Sequence, residues 1–346
     1  MQNPRVATVA QLSEYDEIID VRSPAEYAED HIPGAINAPV LTNAQRAEVG
    51  TLYTQVSPFA AKKLGAALIA RNIAQHLETL FSDKPKQWRP LVYCWRGGQR
   101  SGAMAHILAQ VGWSTARLDG GYKNYRRRVL ADLETLPATL QFRVVCGPTG
   151  SGKSRLLRVL HEQGAQVLDL EALAQHRGSL LGNLPDEAQP AQKMFDSRLW
   201  DVLRHLDPQR PVFVEAESKK IGLLSLPEAL LTKIRTSDCL MIEAPVAARV
   251  RLLKEDYKHF LSDPALLTRC LAPLLPLHGH QVLERWQTLA EQGDWDALVE
   301  ELLTMHYDPA YRRSTTYNFA LLSDAQVLRL DRLDDAALRA AVTDVL

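Results

Sequence analysis

The sequence predicts an α/β protein of two domains in series: a small N-terminal domain, then a larger one built on a parallel sheet with a helical insertion. Three observations predict it. An apolar strand, L-V-Y-C (91–94), runs into the glycine- and arginine-rich segment C-W-R-G-G-Q-R-S (94–101) and then a helix. A second strand, F-R-V-V-C (142–146), runs into G-P-T-G-S-G-K-S (147–154) and then S-R-L-L-R-V-L. Beyond it, strand-like runs alternate with helical stretches, the pattern of a parallel sheet covered on both faces.

The bulk properties narrow the class. A chain of 346 residues suits two or three domains, and 46% hydrophobic content can fill a sizeable core. The formal net charge of −1 excludes a globally basic protein, so any nucleic-acid site has to be a local patch. The four cysteines, Cys94, Cys146, Cys239 and Cys270, form no C-x-x-C pair. That spacing argues against structural zinc and a disulfide framework, and for a reducing cytoplasm. The start, M-Q-N-P-R-V, lacks an apolar signal core, and no run approaches 18 apolar residues. No membrane partner is expected.

In chain order, E-I-I-D-V (17–21) reads as a buried strand, followed by a helix with Ser23 as N-cap and Pro24 at its first position. Residues 31–39 carry turn chemistry around Pro33 and Gly34, and 59–80 carry helical apolar spacing. Residues 101–112 form a helix closed by Gly112. The first domain is expected over 1–130, a connector containing Pro137 over 131–141, and the second domain over 142–346. Strands of that second domain are expected at 142–146, 166–170, 211–215, 239–243 and 326–330. Residues 247–305 are helix-rich and too long for one crossover, so they are expected as an insertion over the sheet's carboxyl edge.

Cys94 ends an apolar strand at the mouth of a loop formed by Trp95, Arg96, Gly97, Gly98, Gln99, Arg100 and Ser101. The paired glycines allow a tight turn with inward N–H groups, the two arginines add positive charge, and the following helix adds its N-terminal dipole. Each effect favours a thiolate at Cys94 and an oxyanion beside it.

Gly147, Pro148, Thr149, Gly150, Ser151, Gly152, Lys153 and Ser154 complete a G-x-x-x-x-G-K-S phosphate loop between a strand and a helix. Its N–H groups would cradle a di- or triphosphate, Lys153 would neutralise it, and Ser154 could ligate Mg²⁺. The motif reads a polyphosphate and not a base, so ATP, GTP and a prenyl diphosphate all remain open. Glu215 and Glu217, at the end of P-V-F-V-E-A-E, and less so Asp169, stand where an acidic partner of such a loop belongs. No metal site is assigned beyond Ser154.

Basic residues cluster beside aromatics in G-Y-K-N-Y-R-R-R (121–128) and in Y-D-P-A-Y-R-R-S-T (307–315). Lys123, Arg126, Arg127, Arg128, Arg312 and Arg313 are the candidate RNA contacts. Residues 251–259 read as a solvated helix face, and H-G-H (278–280) as a loop feature rather than a metal site.

Residues 5–130 resemble the rhodanese family through I-I-D-V-R-S-P-A-E-Y (18–27), H-I-P-G-A-I-N (31–37), Y-C-W-R-G-G-Q-R-S (93–101) and L-D-G-G-Y (118–122). The resemblance implies that Cys94 carries a transferable chalcogen, and that Asp20, Arg22, His31 and Gly34 are structural. The C-x5-R spacing from Cys94 to Arg100 is one residue longer than the usual sulfurtransferase loop and resembles the rhodanese-related dual-specificity phosphatases. With G-P-T-G-S-G-K-S, F-V-E-A-E-S-K-K-I-G (213–222) and H-Y-D-P-A-Y (306–311), the whole chain resembles the tRNA 2-selenouridine synthase family. That resemblance implies a cytoplasmic transferase acting on wobble 2-thiouridine in tRNA. It implies geranyl diphosphate and selenophosphate as substrates, S-geranyl-2-thiouridine as intermediate, and no tightly bound cofactor beyond a candidate Mg²⁺. The competing readings are a rhodanese-related phosphatase or sulfurtransferase fused to an ATP-binding domain, with Asp119 the nearby acid, and an ATP-driven switch without rhodanese chemistry.

Overall fold

A computed structural model describes residues 4–96, 98–185, 187–343 and 345–346, and it contains two compact units. The first comprises Met1–Asp132 and Ala191–Asp201; the second comprises Leu133–Pro190 and Val202–Leu346.

The first unit is built on five parallel strands: β1 (Arg5–Ala7), β2 (Glu17–Asp20), β3 (Ile36–Asn37), β4 (Pro90–Tyr93) and β5 (Ala116–Leu118). Their spatial order is β1-β5-β4-β2-β3, with β4 central. Every residue of β4 is buried, as expected of a central parallel strand. The core gathers Ile19, Val21, Val92 and Cys94 against Met104, Ala105 and Leu108 of the helix Gln99–Val111. Gly112 closes that helix with φ +111. Ser23 and Glu26 form a capping box on the helix Pro24–Glu29. The helical spacing over 59–80 corresponds to Pro58–Glu78, preceded by a helix, Asn43–Gln55, that the sequence reading left unassigned.

Residues 131–141, expected as a connector, are instead the last turns of the helix Gly121–Thr139 and the start of the next strand, Pro137 being carried inside the helix. Residues 191–201, expected in the second domain, pack within the first unit. There Trp200 meets Tyr125 edge-on at 5.5 Å and donates from Nε1 to Asp132 Oδ2 at 2.8 Å.

The second unit holds β6 (Gln141–Cys146), β7 (Gln166–Leu168), β8 (Pro211–Glu215), a small antiparallel ribbon of β9 (Lys220–Ile221) and β10 (Leu224–Ser225), β11 (Asp238–Glu243) and β12 (Gln326–Arg329). The main sheet is parallel throughout, in the order β12-β11-β6-β8-β7. All five expected strands are present. From β6 the chain crosses to the edge strand β7, returns to β8 beside β6, and then passes to β11 and β12 on the other side, so the strand order reverses at β6 and its carboxyl end is where such α/β sheets bind ligands. The helical segment runs from Val246 to Asn318, thirteen residues past the expected end at 305, because a π-turn at Leu302–Tyr307 joins it to the helix Asp308–Asn318. Its own core is formed by Phe260, Leu267, Leu271, Trp286, Leu298 and Leu302. Among the described residues, no helix is long and apolar enough to cross a membrane.

Candidate functional site

The first unit presents a thiol at the carboxyl end of β4. Cys94 is 3% exposed, and its Sγ lies 3.2 Å from Ser101 Oγ in the first turn of the following helix. The loop is pinned on its far side: Tyr122 N–H donates to Cys94 O at 2.8 Å and Lys123 N–H to Trp95 O at 2.9 Å. Gly120 and Gly121, at φ +61 and +57, make the left-handed turn that delivers Tyr122 there. Trp95, 38% exposed, stacks on the Tyr122 ring at 5.2 Å. Burial pushes the Cys94 thiol up, but hydrogen bonds from the Ser101 hydroxyl and N–H, the Arg100 charge and the Arg96 N–H outweigh it, leaving the thiol below its ordinary value.

Arg100 is not a free cation. Its Nη1 binds Glu26 Oε2 at 3.0 Å, and Arg46 Nε binds the same oxygen at 2.9 Å. The sequence reading missed Glu26; its signal was the S-P-A-E capping box, whose acid also faces the loop. Gly98 is the N-cap of the helix, Gln99 its first residue, and Arg96 lies in the loop between; Gly97 lies outside the described residues. Asp20 and Arg22 form a buried ion pair at 2.6 Å, and Arg22 sits over the Tyr122 ring at 4.0 Å. His31 Nδ1 meets Tyr27 O at 2.8 Å with the rings stacked, and Gly34 turns at φ +78. All four occupy structural positions.

The second unit presents the phosphate loop between β6 and the helix Lys153–Glu162. Gly150 turns at φ +76, and a Cβ there would sit 2.8 Å from Leu253 Cδ1 and 3.3 Å from Arg249 O, so both the turn and the close packing require glycine. Gly152 caps the helix at φ +85, and Ser151 N–H donates to Pro148 O at 3.1 Å. Lys153 Nζ donates to Gly147 O at 3.0 Å across the loop. Tyr311 Oη accepts the Gly147 N–H at 2.6 Å, and Arg249 Nε donates to Thr149 O at 2.9 Å. Arg249 in turn is held by Asp308 in a buried pair at 2.6 Å. Asp308 and Tyr311, read from sequence only as part of a motif and of an RNA patch, therefore brace the phosphate loop.

Facing the loop is a cluster of three carboxylates. One oxygen each from Glu171, Glu215 and Glu217 lies within 4.8 Å of the others. Ser154 Oγ donates to Glu171 Oε2 at 3.3 Å. Burial pushes Glu171 up to about 9, with repulsion from Glu215 and Glu217 adding to it. Burial and the Glu215 charge push Glu217 up to about 8. Glu215, 2% exposed, is also raised by burial, and its Oε1 has no hydrogen-bond partner. Crowded carboxylates, one with an orphaned buried oxygen, beside a loop serine form a donor set that fits a hard divalent cation. Asp169 plays another part: its Oδ1 caps the helix Leu170–Ala174 by accepting from Ala172 N–H at 2.8 Å. The sequence signal for Glu171 was an acid two residues beyond Asp169, in the first turn of the helix that Asp169 caps. The cleft over the loop has a volume of ≈ 340 Å³ and is also lined by Arg177, Tyr257 and Tyr307.

The basic candidates divide. Arg126 is partnered within its unit, binding Asp196 and donating from Nη1 to Lys193 O at 3.1 Å. Arg128 pairs with Asp132 at 2.7 Å while remaining 61% exposed. Lys123, Arg127, Arg312 and Arg313 are exposed.

Fold and sites together define a protein with a rhodanese-type thiol cradle and a phosphate-loop domain in one chain. Residues 6–128 match the rhodanese-like domain model, and residues 140–266 match the model of the tRNA 2-selenouridine synthase AAA domain. A relative from Aeromonas salmonicida named tRNA 2-selenouridine synthase is 33% identical over 85% of this chain and 86% of its own length. One of the same name from Shewanella loihica is 32% identical over 90% and 92%. A third, from Nitrosomonas europaea, is 36% identical over 69% of this chain, which spans 63% of that relative's length. The chain belongs to the tRNA 2-selenouridine synthase family.

Proposed function

We propose that this chain is a cytoplasmic transferase that replaces the sulfur of wobble 2-thiouridine in tRNA with selenium, through S-geranyl-2-thiouridine. The observation that carries the reading is the pairing, in one chain of this family, of an activated Cys94 with a complete phosphate loop. A thiocarbonyl sulfur leaves poorly, and alkylation makes it a better leaving group. In the first step the sulfur attacks C1 of geranyl diphosphate, the C–O bond breaks, pyrophosphate departs, and the N3 proton is released. The loop N–H groups and Lys153 hold the diphosphate and stabilise the charge that develops on it. Ser154, Glu171, Glu215 and Glu217 would hold Mg²⁺. When bound, such an ion supplies positive charge to the departing pyrophosphate.

In the second step selenium from selenophosphate bonds to C2 as the C–S bond breaks. Geranylthiol leaves, and water takes the phosphoryl group as phosphate. The Cys94 cradle receives selenophosphate, with Cys94 as the nucleophile: its thiolate attacks phosphorus, the P–Se bond breaks to free selenide for C2, and water then cleaves the S–P bond to return the thiol and phosphate. Lys123, Arg127, Arg312 and Arg313 are the exposed cations available to the tRNA backbone. The wobble base has to be splayed out to be reached.

The test is nucleoside mass spectrometry of 2-thiouridine tRNA incubated with the protein, geranyl diphosphate and selenophosphate. The expected product is 2-selenouridine, formed only when both reagents are present. An unchanged nucleoside overturns the reading and leaves the phosphatase and ATP-binding alternatives.

A further inference from the structure

Beside the phosphate loop, the helical segment encloses a second, apolar cavity of ≈ 60 Å³. Thr149 of the loop lines it, and so do Leu253, Tyr257 and Tyr307, which also line the cleft over the loop. The two spaces therefore share a wall. Beyond that wall the lining includes Phe260, Leu298, Val299 and Leu302, with Phe260, Leu298 and Leu302 also belonging to the segment's own core, while Ser179 and Lys254 border it with little polar surface. A cavity of this size holds about four water-sized positions, and its apolar walls offer them few hydrogen bonds. It suits a branched hydrocarbon end and offers a nucleobase no row of polar partners.

We propose that this cavity takes the distal end of the prenyl chain whose diphosphate the loop holds, and so sets chain length. The proposal rests on the reading of the loop as a geranyl diphosphate site. Burying an apolar terminus contributes ~0.8 kcal/mol per methylene, so a few carbons amount to a tenfold or greater gain in affinity.

Calorimetric titration of the intact chain with inorganic pyrophosphate and with dimethylallyl, geranyl and farnesyl diphosphates tests it. Geranyl diphosphate should bind at least tenfold tighter than pyrophosphate. Val299→Phe, at the half-buried wall, should remove that gain while pyrophosphate affinity stays within twofold. Val299→Ala should shift the preference towards the farnesyl chain. Leu261→Phe, from a different helix lining the same cavity, repeats the filling experiment should Val299→Phe fail to fold, which pyrophosphate binding reports directly. Equal affinity for pyrophosphate and geranyl diphosphate, or a gain that survives both fillings, overturns the cavity assignment and leaves the proposed function standing. Pyrophosphate binding unaffected by Lys153→Ala overturns the loop reading itself, and the cavity assignment with it.

Discussion

Arg249 and Asp308 form a buried, two-point ion pair, Nη2 to Oδ1 at 2.6 Å and Nη1 to Oδ2 at 3.0 Å, and the remaining Nε of Arg249 holds Thr149 O. One guanidinium thus joins the helices Val246–Asp256 and Asp308–Asn318 to the floor of the phosphate loop. The fork geometry is one that lysine cannot reproduce. Because Arg249 is 3% exposed, removing its partner strands a charge away from water.

Asp308→Ala should therefore destabilise the protein by ~3 kcal/mol or more, read from urea unfolding. It should also weaken pyrophosphate binding, because the loop loses its brace. Tyr311→Phe removes the acceptor of the Gly147 N–H together with the hydroxyl's hydrogen bond to Thr315, a cost of about 1 kcal/mol for each bond. An Asp308→Ala variant with unchanged unfolding and unchanged affinity would show that the pair braces nothing.

The strand-to-loop-to-helix segments were legible because local chemistry determines them: β4 into Cys94, and β6 into the phosphate loop, each carry their own turn residues. The five strands of the second sheet were legible for the same reason, as short apolar runs bounded by turns. Glu26, Glu171 and Asp308 were not. Each acts through a partner distant in sequence, Glu26 on Arg100, Glu171 against Glu215 and Asp308 on Arg249, and no local pattern encodes such a meeting. Arg126 shows the converse case. Its basic neighbourhood reads as an RNA face, yet Asp196, seventy residues away, absorbs its charge. The segment Ala191–Asp201 shows the same limit: it lies in sequence within the match to the AAA-domain model, while the ring of Trp200 packs on Tyr125 in the first unit.

The carboxylate cluster gives a pH signature. Glu171 and Glu217, raised to about 9 and about 8, bind protons more tightly folded than unfolded. Their contribution to stability is fully present below the ordinary carboxylate range and is lost as pH rises through 8 to 9. The midpoint of thermal unfolding without divalent cations should therefore fall between pH 6 and 9. Mg²⁺ should flatten that fall, and Glu217→Gln should flatten it in the absence of metal. A slope that Glu217→Gln leaves intact would place its origin elsewhere.

Cys94 gives the opposite signature. Its thiol is held below the ordinary value, with Ser101 the largest of the groups that favour the thiolate. Alkylation by iodoacetamide should thus reach half its maximal rate at a lower pH than for free cysteine, and reactivity should be lost as pH falls through that midpoint. Ser101→Ala should move the midpoint upward by removing the hydroxyl 3.2 Å from the sulfur. Cys146, Cys239 and the half-buried Cys270 are the other thiols, and the Cys94→Ala variant supplies their baseline. An unshifted midpoint in Ser101→Ala would assign the activation to the loop N–H groups and Arg100 instead.

The two loops should divide the chemistry. On the proposed reading Lys153 holds the diphosphate, so Lys153→Ala should abolish S-geranyl-2-thiouridine formation. Supplied with tRNA already carrying the S-geranyl group, the same variant should still form 2-selenouridine, because the second step uses no diphosphate. Cys94→Ala should do the reverse, accumulating S-geranyl-2-thiouridine and forming no selenouridine. A loss in one step with retention of the other also reports a folded chain. Nucleoside mass spectrometry distinguishes all three species by mass. If each variant loses both steps equally, one site performs the whole exchange, and the assignment of alkylation to Lys153 and selenium entry to Cys94 is wrong.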